Sequence, residues 1–414
     1  MPSRPNRPRP GQRPRAGLRS RPPVAEPVHC VHFGTCGGCS SLDQPIAWQL
    51  HEKAAECEAL LEPVLDGQRI AFDEPETTPR HFRTRLLYPV RPDRDGRPIA
   101  GLYEFRSHAI VRIEECKTMD RWLVGFGQAA EAALRDLRLA PFDPRRKRGK
   151  VKALWARLAS GTGQVLAGVV TSPGEFAKGK ALADAFYQAA RAQPEGRKPR
   201  QLVGVVHSIS EREDEFLLAD RHMPLRGGDH ITDRRDDLTF RISAGSFYQI
   251  HADAHRLLYA PALRLVGKVR GQHVVDGFGG VGTFGLRLAK AGAARVTIVE
   301  DNAAACRDAE HNAKANDLAG VEVVKSPFGS WHLPPGVDLL VVDPPRSGLG
   351  SKAIQRVLAA PPARILYVAC AADSLARDLG ELHASGYRVR AIRLCDMFPH
   401  TEHVELVALL ERGA

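Results

Sequence analysis

The sequence predicts an α/β protein with two domains: a doubly wound sheet in residues 241–414, and a mixed α+β domain in residues 28–240 that carries a cysteine cluster. Three observations lead to this prediction. The chain has 414 residues, which is more than one ordinary hydrophobic core accommodates. After about residue 270, short apolar runs alternate with helical segments, as in a parallel sheet covered by helices. Before residue 240 the apolar segments have strand character, and three cysteines fall within residues 30–39.

Residues 1–27 are predicted to be a disordered basic tail. They contain seven arginines, eight prolines and one glutamate, and therefore hold more than half of the net charge of +11. The segment has almost no apolar side chains, so it cannot bury enough surface to offset the entropy lost on ordering. Basic charge suits a polyanion such as nucleic acid, although it also confers solubility. The tail is interpreted as an RNA-contacting arm or a dispensable extension; its prolines disfavour a mitochondrial transit peptide.

The cysteine cluster has the spacing C-x5-C-x2-C, formed by Cys30, Cys36 and Cys39 on a glycine-rich segment. Three thiolates on such a flexible backbone can surround a metal centre, and Cys116 is the predicted fourth ligand. Cys57 lies in a helical pattern and is predicted to be a packed helix residue. The spacing alone leaves an iron–sulfur cluster and a zinc ion open. A metal-free interpretation is less favoured, because it would leave reactive, exposed thiols close together.

The central region contains several strand-like segments joined by basic connectors at 141–152 and 192–201. Arg83 and Arg85 lie on one face of the first strand, with aromatic residues nearby. That combination suits RNA, whose bases stack and whose phosphates pair with arginine, but a solvated sheet face would look similar. The predicted strands of this region cover residues 81–90, 101–104, 110–113, 203–207 and 215–218.

The C-terminal region is predicted to begin with a strand, a glycine turn at 277–283 and a helix at 284–291. In such a sheet the ligand binds at the carboxyl ends of the strands. The predicted strands are 274–276, 295–300, 321–325, 338–342, 364–369, 387–394 and 403–410.

Acidic residues at these strand ends predict a methyl-donor site. The glycines of the turn after Asp276 do not have the spacing of the pyrophosphate-binding fingerprint. Glu300 ends the second strand, where a carboxylate can bind a ribose diol. Asp343 precedes a rigid Pro-Pro turn, and Arg346 replaces the aromatic residue typical of enzymes that methylate exocyclic amines. Each acid alone could be a cap or turn residue; together they favour a methyl donor.

A thiol and a carboxylate near the end of the chain suit methylation of an unreactive ring carbon. Cys370 follows the strand at 364–369, and Glu405 lies thirty-five residues later. A thiolate that adds to carbon 6 of uracil activates carbon 5, and a base then removes the carbon 5 proton. Cys370 could instead be a buried strand-end thiol. The polar helix start at Ser374 favours the nucleophile, because a helix dipole stabilises a thiolate.

With these motifs the sequence resembles the RNA uracil-C5 (5-methyluridine) methyltransferases from residue 28 to 412. The resemblance is most specific in residues 367–370, 375–379 and 396–405. It implies a class I methyltransferase fold that uses S-adenosylmethionine, with Cys370 as nucleophile and Glu405 as proton acceptor. The implied cofactor contacts are Gln249, Phe278, Glu300 and Asp343. The cysteine cluster matches the ligands of a 4Fe–4S cluster in the ribosomal RNA branch, namely Cys30, Cys36, Cys39 and Cys116.

Several positions depart from the family pattern. Ala371 and Ala372 replace the usual Asn-Pro after the nucleophile, so target choice or rate is in question. His251 replaces the usual Asn, and Gly279 stands where many relatives carry Cys. Against the same family pattern, the basic tail is expected to stand in place of the small N-terminal barrel of some ribosomal relatives.

The resemblance implies a cytoplasmic, monomeric enzyme that methylates a uridine, with 23S ribosomal RNA as the favoured substrate and transfer RNA as the alternative. A non-catalytic RNA-binding or assembly protein on a methyltransferase scaffold is the alternative from another class. No apolar run of about 18 residues occurs, so no membrane span is expected.

Overall fold

The structure is a computed structural model that describes residues 28–194, 199–212, 219 and 221–413. The basic tail at 1–27 and the strand predicted at 215–218 lie outside the described residues.

The N-terminal part is built on a six-stranded sheet in the order β2-β1-β5-β6-β7-β8, in which only β6 and β7 run parallel. Helices α2 and α3 pack against each other and against this sheet. The elements in chain order are α1 (Ile46–Leu65), β1 (Arg85–Pro92), β2 (Pro98–Ala100), β3 (Leu102–Tyr103), β4 (Ile110–Val111), α2 (Arg121–Asp136), β5 (Val151–Leu158), β6 (Gln164–Thr171), α3 (Gly179–Arg191), β7 (Gln201–Ile209), β8 (Arg221–Gly227), β9 (His230–Arg235) and β10 (Leu238–Ser243).

The C-terminal part is a seven-stranded sheet in the order β13-β12-β11-β14-β15-β17-β16, with helices on both faces. The first five strands in this order are parallel, whereas β17 pairs antiparallel with β15 and β16. The elements are a π-helical turn (His255–Tyr259), α4 (Ala260–Val266), β11 (His273–Gly277), α5 (Gly285–Lys290), β12 (Arg295–Glu300), α6 (Ala303–Ala315), β13 (Val321–Lys325), a 3-10 turn (Phe328–Ser330), β14 (Leu339–Val342), α7 (Gly350–Ala359), β15 (Arg364–Ala369), α8 (Ala372–Ala384), β16 (Tyr387–Leu394) and β17 (Leu406–Arg412).

This architecture confirms the predicted α/β fold with a doubly wound sheet. The central strands are apolar runs because helices cover both faces and leave neither side to water. Strands β12, β13, β15 and β16 have the predicted bounds. The last strand is shorter at its start than predicted: it begins at Leu406, and residues 403–405 belong to the preceding loop.

Helix α1 belongs to the N-terminal part by sequence but packs on the C-terminal sheet, against α8 and β16. Its buried face includes Leu50, Ala54 and Leu61, which join the core formed by residues of α8. Cys57 lies on the same face and is buried, which confirms the prediction of a packed helix residue. The N-terminal segment is therefore attached directly to the sheet that carries the strand-end acids.

The β9–β10 hairpin connects the two parts and is held by α6. The Asn312 side chain accepts from the backbone N–H of Arg241 (2.6 Å), and the Asp308 carboxylate accepts from the backbone N–H of Ser243 (2.7 Å) and the hydroxyl of Ser246 (2.6 Å). These bonds fix the start of the segment that contains Gln249.

Within the described residues, none of the helices has both the length and the apolar character that a membrane span requires.

Candidate active site

The pairing of β15 with β17 brings Cys370 and Glu405 together. Ala369 and Leu406 are the last pair of this antiparallel register, and Cys370 and Glu405 are the next residues outward on the two chains. The charge of Glu405 acts on the Cys370 thiol, so the two side chains lie close together. Glu405 is buried, with 2% of its surface exposed, while Cys370 is partly exposed. The thiol is thus open to a ligand and the carboxyl is shielded from water.

Asp343 forms the third member of this group. It follows β14, the parallel neighbour of β15, and its carboxyl lines a cleft at this edge of the sheet. Burial raises the pKa of Asp343 to about 7. Burial, followed by the charge of Asp343, raises the pKa of Glu405 well above its usual range. Near neutral pH the pair therefore retains protons that exposed carboxyls would have lost.

The Cys370 thiol is also protonated at neutral pH. Burial raises its pKa to about 11, the charges of Glu405 and Asp343 add to the rise, and Arg346 opposes it. Any stabilisation of a thiolate by the start of α8 is outweighed by burial of the thiol first, and then by the charges of the two nearby carboxyls. Neutralising either carboxyl would lower the pKa of the thiol.

The cleft beside these groups, here the first cleft, has a volume of about 330 Å³. The glycine turn forms one wall, in which Phe278 adopts a left-handed backbone conformation with φ of 61°. That conformation is costly for a residue with a side chain, and such strain often marks a functional site. Packing of the Phe278 ring against Phe328, with centroids 5.2 Å apart, helps to hold it. The first cleft is lined by Phe247, Tyr248, Tyr259, Asp276, Phe278, Gly279, Gly280, Val281, Thr283, Phe284 and Asp343.

Asp276 anchors the glycine turn and was missed as a site residue by the sequence reasoning. Its carboxyl accepts from the backbone N–H of Gly285 at 2.7 Å, which fixes the start of α5. Burial raises its pKa to about 7. An acid between an apolar strand and a glycine turn was the available signal. A Cβ atom at Gly279 would lie 2.6 Å from Cγ2 of Ile298, so the absence of a side chain there suits this wall.

Glu300 supports the first cleft without lining it. One oxygen of its carboxylate accepts from the N–H of Gly280 (2.9 Å) and the other from the N–H of Asn302 (2.8 Å). The end of β12 is thereby tied to the glycine turn. A carboxylate has about four acceptor positions, so these two bonds leave capacity for ligand hydroxyls.

Gln249 lies in a second cleft of about 280 Å³, which shares Tyr248 and Tyr259 with the first. His251 lines it too, with its Nδ1 accepting from the N–H of Asp253 at 3.0 Å. Burial lowers the pKa of His251 to about 4, so the ring is neutral. Its buried Nε2 has no partner among the described residues. Of the predicted cofactor contacts, the structure places Phe278 and Asp343 in the first cleft and Gln249 in the adjoining one.

The four cysteines predicted as metal ligands lie in one neighbourhood. Burial raises the pKa of Cys39 to about 12, and the charges of Cys116, Cys36 and Cys30 contribute to the rise. Burial likewise raises the pKa of Cys36. Within the described ranges, however, no group of three or more His, Cys, Asp or Glu side chains has the arrangement that holds a metal ion. The four thiols lie near one another in the structure, but their arrangement does not show a metal site.

Replacement of Asp343 by Asn should stabilise the fold more as the pH rises. Because folding raises the pKa of Asp343 from its usual value near 3.8 to about 7, its protonated form is the stable one in the folded state. That contribution is complete below about pH 4 and is lost as the pH rises through 7, whereas asparagine does not titrate. Denaturant unfolding at pH 5, 6, 7 and 8 measures the difference between Asp343→Asn and wild type.

The control is Asp95→Asn, in the exposed turn between β1 and β2, which removes one carboxylate charge away from the site. A free-energy difference for Asp343→Asn that stays constant, or shrinks toward pH 8, would contradict the raised pKa.

Comparison with known proteins identifies the family. A model described as tRNA (Uracil-5-)-methyltransferase matches residues 336–413, and one described as Methyltransferase small domain matches residues 237–365. An uncharacterized RNA methyltransferase of Halalkalibacterium halodurans is 30% identical over 391 residues, covering 92% of this chain and 82% of the relative. A Listeria monocytogenes homologue with the same description is 30% identical over 391 residues, covering 92% and 83%.

Among solved structures, the Pyrococcus abyssi tRNA (uracil-54, C5)-methyltransferase in complex with S-adenosyl-L-homocysteine matches with a TM-score of 0.71 and 25% identity. The match covers 91% of this chain and 84% of that one. Relatives and structure agree over nearly the whole chain, and the chain belongs to the RNA uracil-5-methyltransferase family.

Proposed function

We propose that this protein transfers a methyl group from S-adenosylmethionine to carbon 5 of a uridine in RNA, with Cys370 as the nucleophile and Glu405 as the proton acceptor. The observation that supports this most directly is the β15–β17 register, which places the two residues next outward from its last pair. Asp343 links them to the first cleft, since it lines the cleft and its charge acts on both.

The reaction follows from the polarity of the uracil ring. The Cys370 thiol first loses its proton to solvent; the thiolate then forms a bond to carbon 6, and the displaced electron pair makes carbon 5 nucleophilic. Carbon 5 takes the electrophilic methyl group that bound S-adenosylmethionine would supply, and the bond between that methyl group and the donor sulfur breaks to leave a neutral thioether. Carbon 5 then carries both the methyl group and its original hydrogen, which Glu405 accepts as a proton when its own carboxyl has lost its proton to solvent. The electrons of that C–H bond restore the ring double bond as the bond to sulfur breaks, and Cys370 leaves as a thiolate.

The first cleft fits the methyl donor. An added Cβ at Gly280 would meet nothing within 4 Å, so the glycine turn leaves room for a ligand to approach the backbone. We assign Phe278 and Asp343 as cleft-wall contacts, Glu300 as the acceptor for ribose hydroxyls, and Gln249 as a contact from the adjoining cleft.

The arginines of the N-terminal sheet support RNA as the substrate. Arg85 is opposite Arg157 across β1 and β5, and burial together with the Arg85 charge lowers the pKa of Arg157 to about 9. Like charges placed directly opposite are unfavourable; the charge of Asp308 offsets part of that repulsion inside the protein, and a phosphate group at the partly exposed Arg85 would offset more of it. The buried position of Arg157 also differs from a solvated sheet face.

The cysteine cluster is proposed to hold a 4Fe–4S cluster with Cys30, Cys36, Cys39 and Cys116 as ligands. The N–H of Gly38 donates to the Cys36 sulfur and the N–H of Met119 to the Cys116 sulfur, each at 3.3 Å. Arg83 is near enough that the charges of Cys116, Cys39 and Cys36 oppose the fall in its pKa caused by burial. Backbone donors and a partly buried cation both suit a cluster with net negative charge.

On this assignment 23S ribosomal RNA is the favoured substrate. Transfer RNA is the second candidate, and the similarity to the Pyrococcus abyssi enzyme is the observation that favours it. The same similarity and the adjacency of Cys370 and Glu405 argue against a purely non-catalytic RNA-binding role.

Wild-type protein should form a covalent adduct with 5-fluorouridine RNA in the presence of S-adenosylmethionine. Fluorine cannot leave as a cation, so the reaction stops with carbon 6 bonded to Cys370. A denaturing gel with labelled RNA detects the adduct, and Cys370→Ser should abolish it. Cys57→Ser is the matched control, since that buried thiol lies in α1. Absence of the adduct in wild type, or its persistence in Cys370→Ser, would contradict the proposal.

Deletion of the gene should remove 5-methyluridine from a single class of RNA. Nucleoside mass spectrometry of separated ribosomal and transfer RNA measures the loss, and a plasmid copy carrying Cys370→Ser should not restore it. Loss from transfer RNA alone would replace the favoured substrate by the second candidate.

Cys36→Ser should yield colourless protein that is less stable than wild type, because one ligand of the cluster is lost. Iron and sulfide analysis, the visible absorption spectrum and thermal unfolding of anaerobically purified protein measure both effects. Cys57→Ser is the control, since that thiol lies within α1. A brown Cys36→Ser protein with full iron content would remove Cys36 from the ligand set, and zinc in place of iron in the wild type would reject the cluster.

A further inference from the structure

The loop that leads to the proton acceptor is held by helix α1 rather than by the sheet alone. We define this loop, residues 395–405, as the acceptor loop. A backbone hydrogen bond joins its two ends: the N–H of Cys395 donates to the carbonyl of Glu405 (2.8 Å). Lys53 of α1 donates from Nζ to the Asp396 carboxylate (2.8 Å) and to the carbonyl of Phe398 (3.0 Å). The Lys53 and Asp396 side chains are only 6% and 11% exposed, so this ion pair is largely shielded from water.

The middle of the acceptor loop depends on the same N-terminal segment. His400 has a left-handed backbone conformation with φ of 66°, which a residue with a side chain adopts only when its surroundings impose it. Its N–H donates to Oε1 of the buried Gln49 in α1 (2.9 Å). Its carbonyl accepts from the N–H groups of Ser40 and Ser41, at 2.9 and 3.1 Å. Ser40 directly follows Cys39, so the cysteine segment and α1 both hold His400.

The two reacting residues therefore have different supports. Cys370 follows β15, a central strand of the sheet, and its position is set by pairing with both neighbouring strands. Glu405 precedes β17 and ends a loop whose middle is fixed by Lys53 and Gln49. Loss of the Lys53 or Gln49 hydrogen bonds would release the middle of the acceptor loop, while the pairing of β15 with both neighbouring strands stays intact.

We infer that Lys53 and Gln49 are positioning residues for Glu405, so that the N-terminal cysteine segment and α1 control proton removal rather than attack by Cys370. This inference rests on the proposed function. If Glu405 is misplaced, Cys370 still adds to carbon 6 and carbon 5 still receives the methyl group, but the carbon 5 proton stays. The bond between sulfur and carbon 6 then cannot break, and methylated RNA remains attached to the protein.

The test is Lys53→Met, assayed on ordinary, non-fluorinated RNA with S-adenosylmethionine. We expect turnover to fall by about 100-fold, the effect of a misplacement near 1 Å, with little change in KM. A Cys370-dependent covalent species containing methylated RNA should accumulate on denaturing gels, as in a Glu405→Gln reference variant. Lys53→Arg should restore part of the turnover, because it keeps a cation opposite Asp396.

Arg200→Met is the matched control. It removes one positive charge from the largely buried Arg200–Asp120 pair (3.0 Å), which contacts neither the acceptor loop nor α1. This variant should lose comparable thermal stability and accumulate no adduct. Gln49→Met, which leaves the Lys53–Asp396 pair intact, is the second variant and should also accumulate adduct, so an insoluble Lys53→Met protein does not end the test.

Folded Lys53→Met or Gln49→Met protein with wild-type turnover would overturn the inference. Reduced turnover without adduct, or with a raised KM alone, would also overturn it. A wild-type protein that forms no adduct with 5-fluorouridine RNA would instead overturn the proposed function, so the two failures are distinguishable.

Discussion

The site depends on one antiparallel pairing, that of β15 with β17. In a sheet whose other central strands are parallel, reversal of β17 brings the start of one strand to the carboxyl end of another. A residue from each then meets at the edge where such folds bind ligands. A slip of one residue in this pairing would turn Glu405 to the opposite face. The apolar side chains of β15 and β17, buried in cores on both sides of the sheet, oppose such a slip.

Burial at this edge determines the protonation of the site. Asp276, Asp343 and Glu405 all have raised pKa values for which burial is the first cause. Asp276 uses its carboxyl to fix the turn before α5, so its role is structural. Asp343 and Glu405 lie beside the Cys370 thiol, and their charges raise its pKa. Because Asp343 also lines the first cleft, a ligand bound there would act on the reactivity of Cys370 through Asp343. Desolvation disfavours ionised carboxyls in the free protein. The same low-dielectric surroundings would strengthen the interactions of these carboxyls with a charged ligand.

Much of the C-terminal fold could be predicted because its strands have simple signals. Strands such as β12 and β15 are short apolar runs bounded by polar or glycine residues, and helices cover both of their faces. The adjacency of Cys370 and Glu405 could be expected only from the resemblance, since no local pattern reveals that β17 lies between β15 and β16. The docking of α1 onto α8 has no local signal either. The raised pKa of Cys370 could not be predicted, because it depends on burial of the thiol in the folded protein and then on carboxyls that follow or precede two other strands.

The raised pKa of the Cys370 thiol also has a consequence for the protein at rest. Peroxide and alkylating agents attack the thiolate far faster than the thiol. With a pKa of about 11, only a minute fraction of this sulfur is ionised in the free protein at neutral pH. The nucleophile is thus protected from chemical damage between encounters with its substrate, although its side chain is partly exposed.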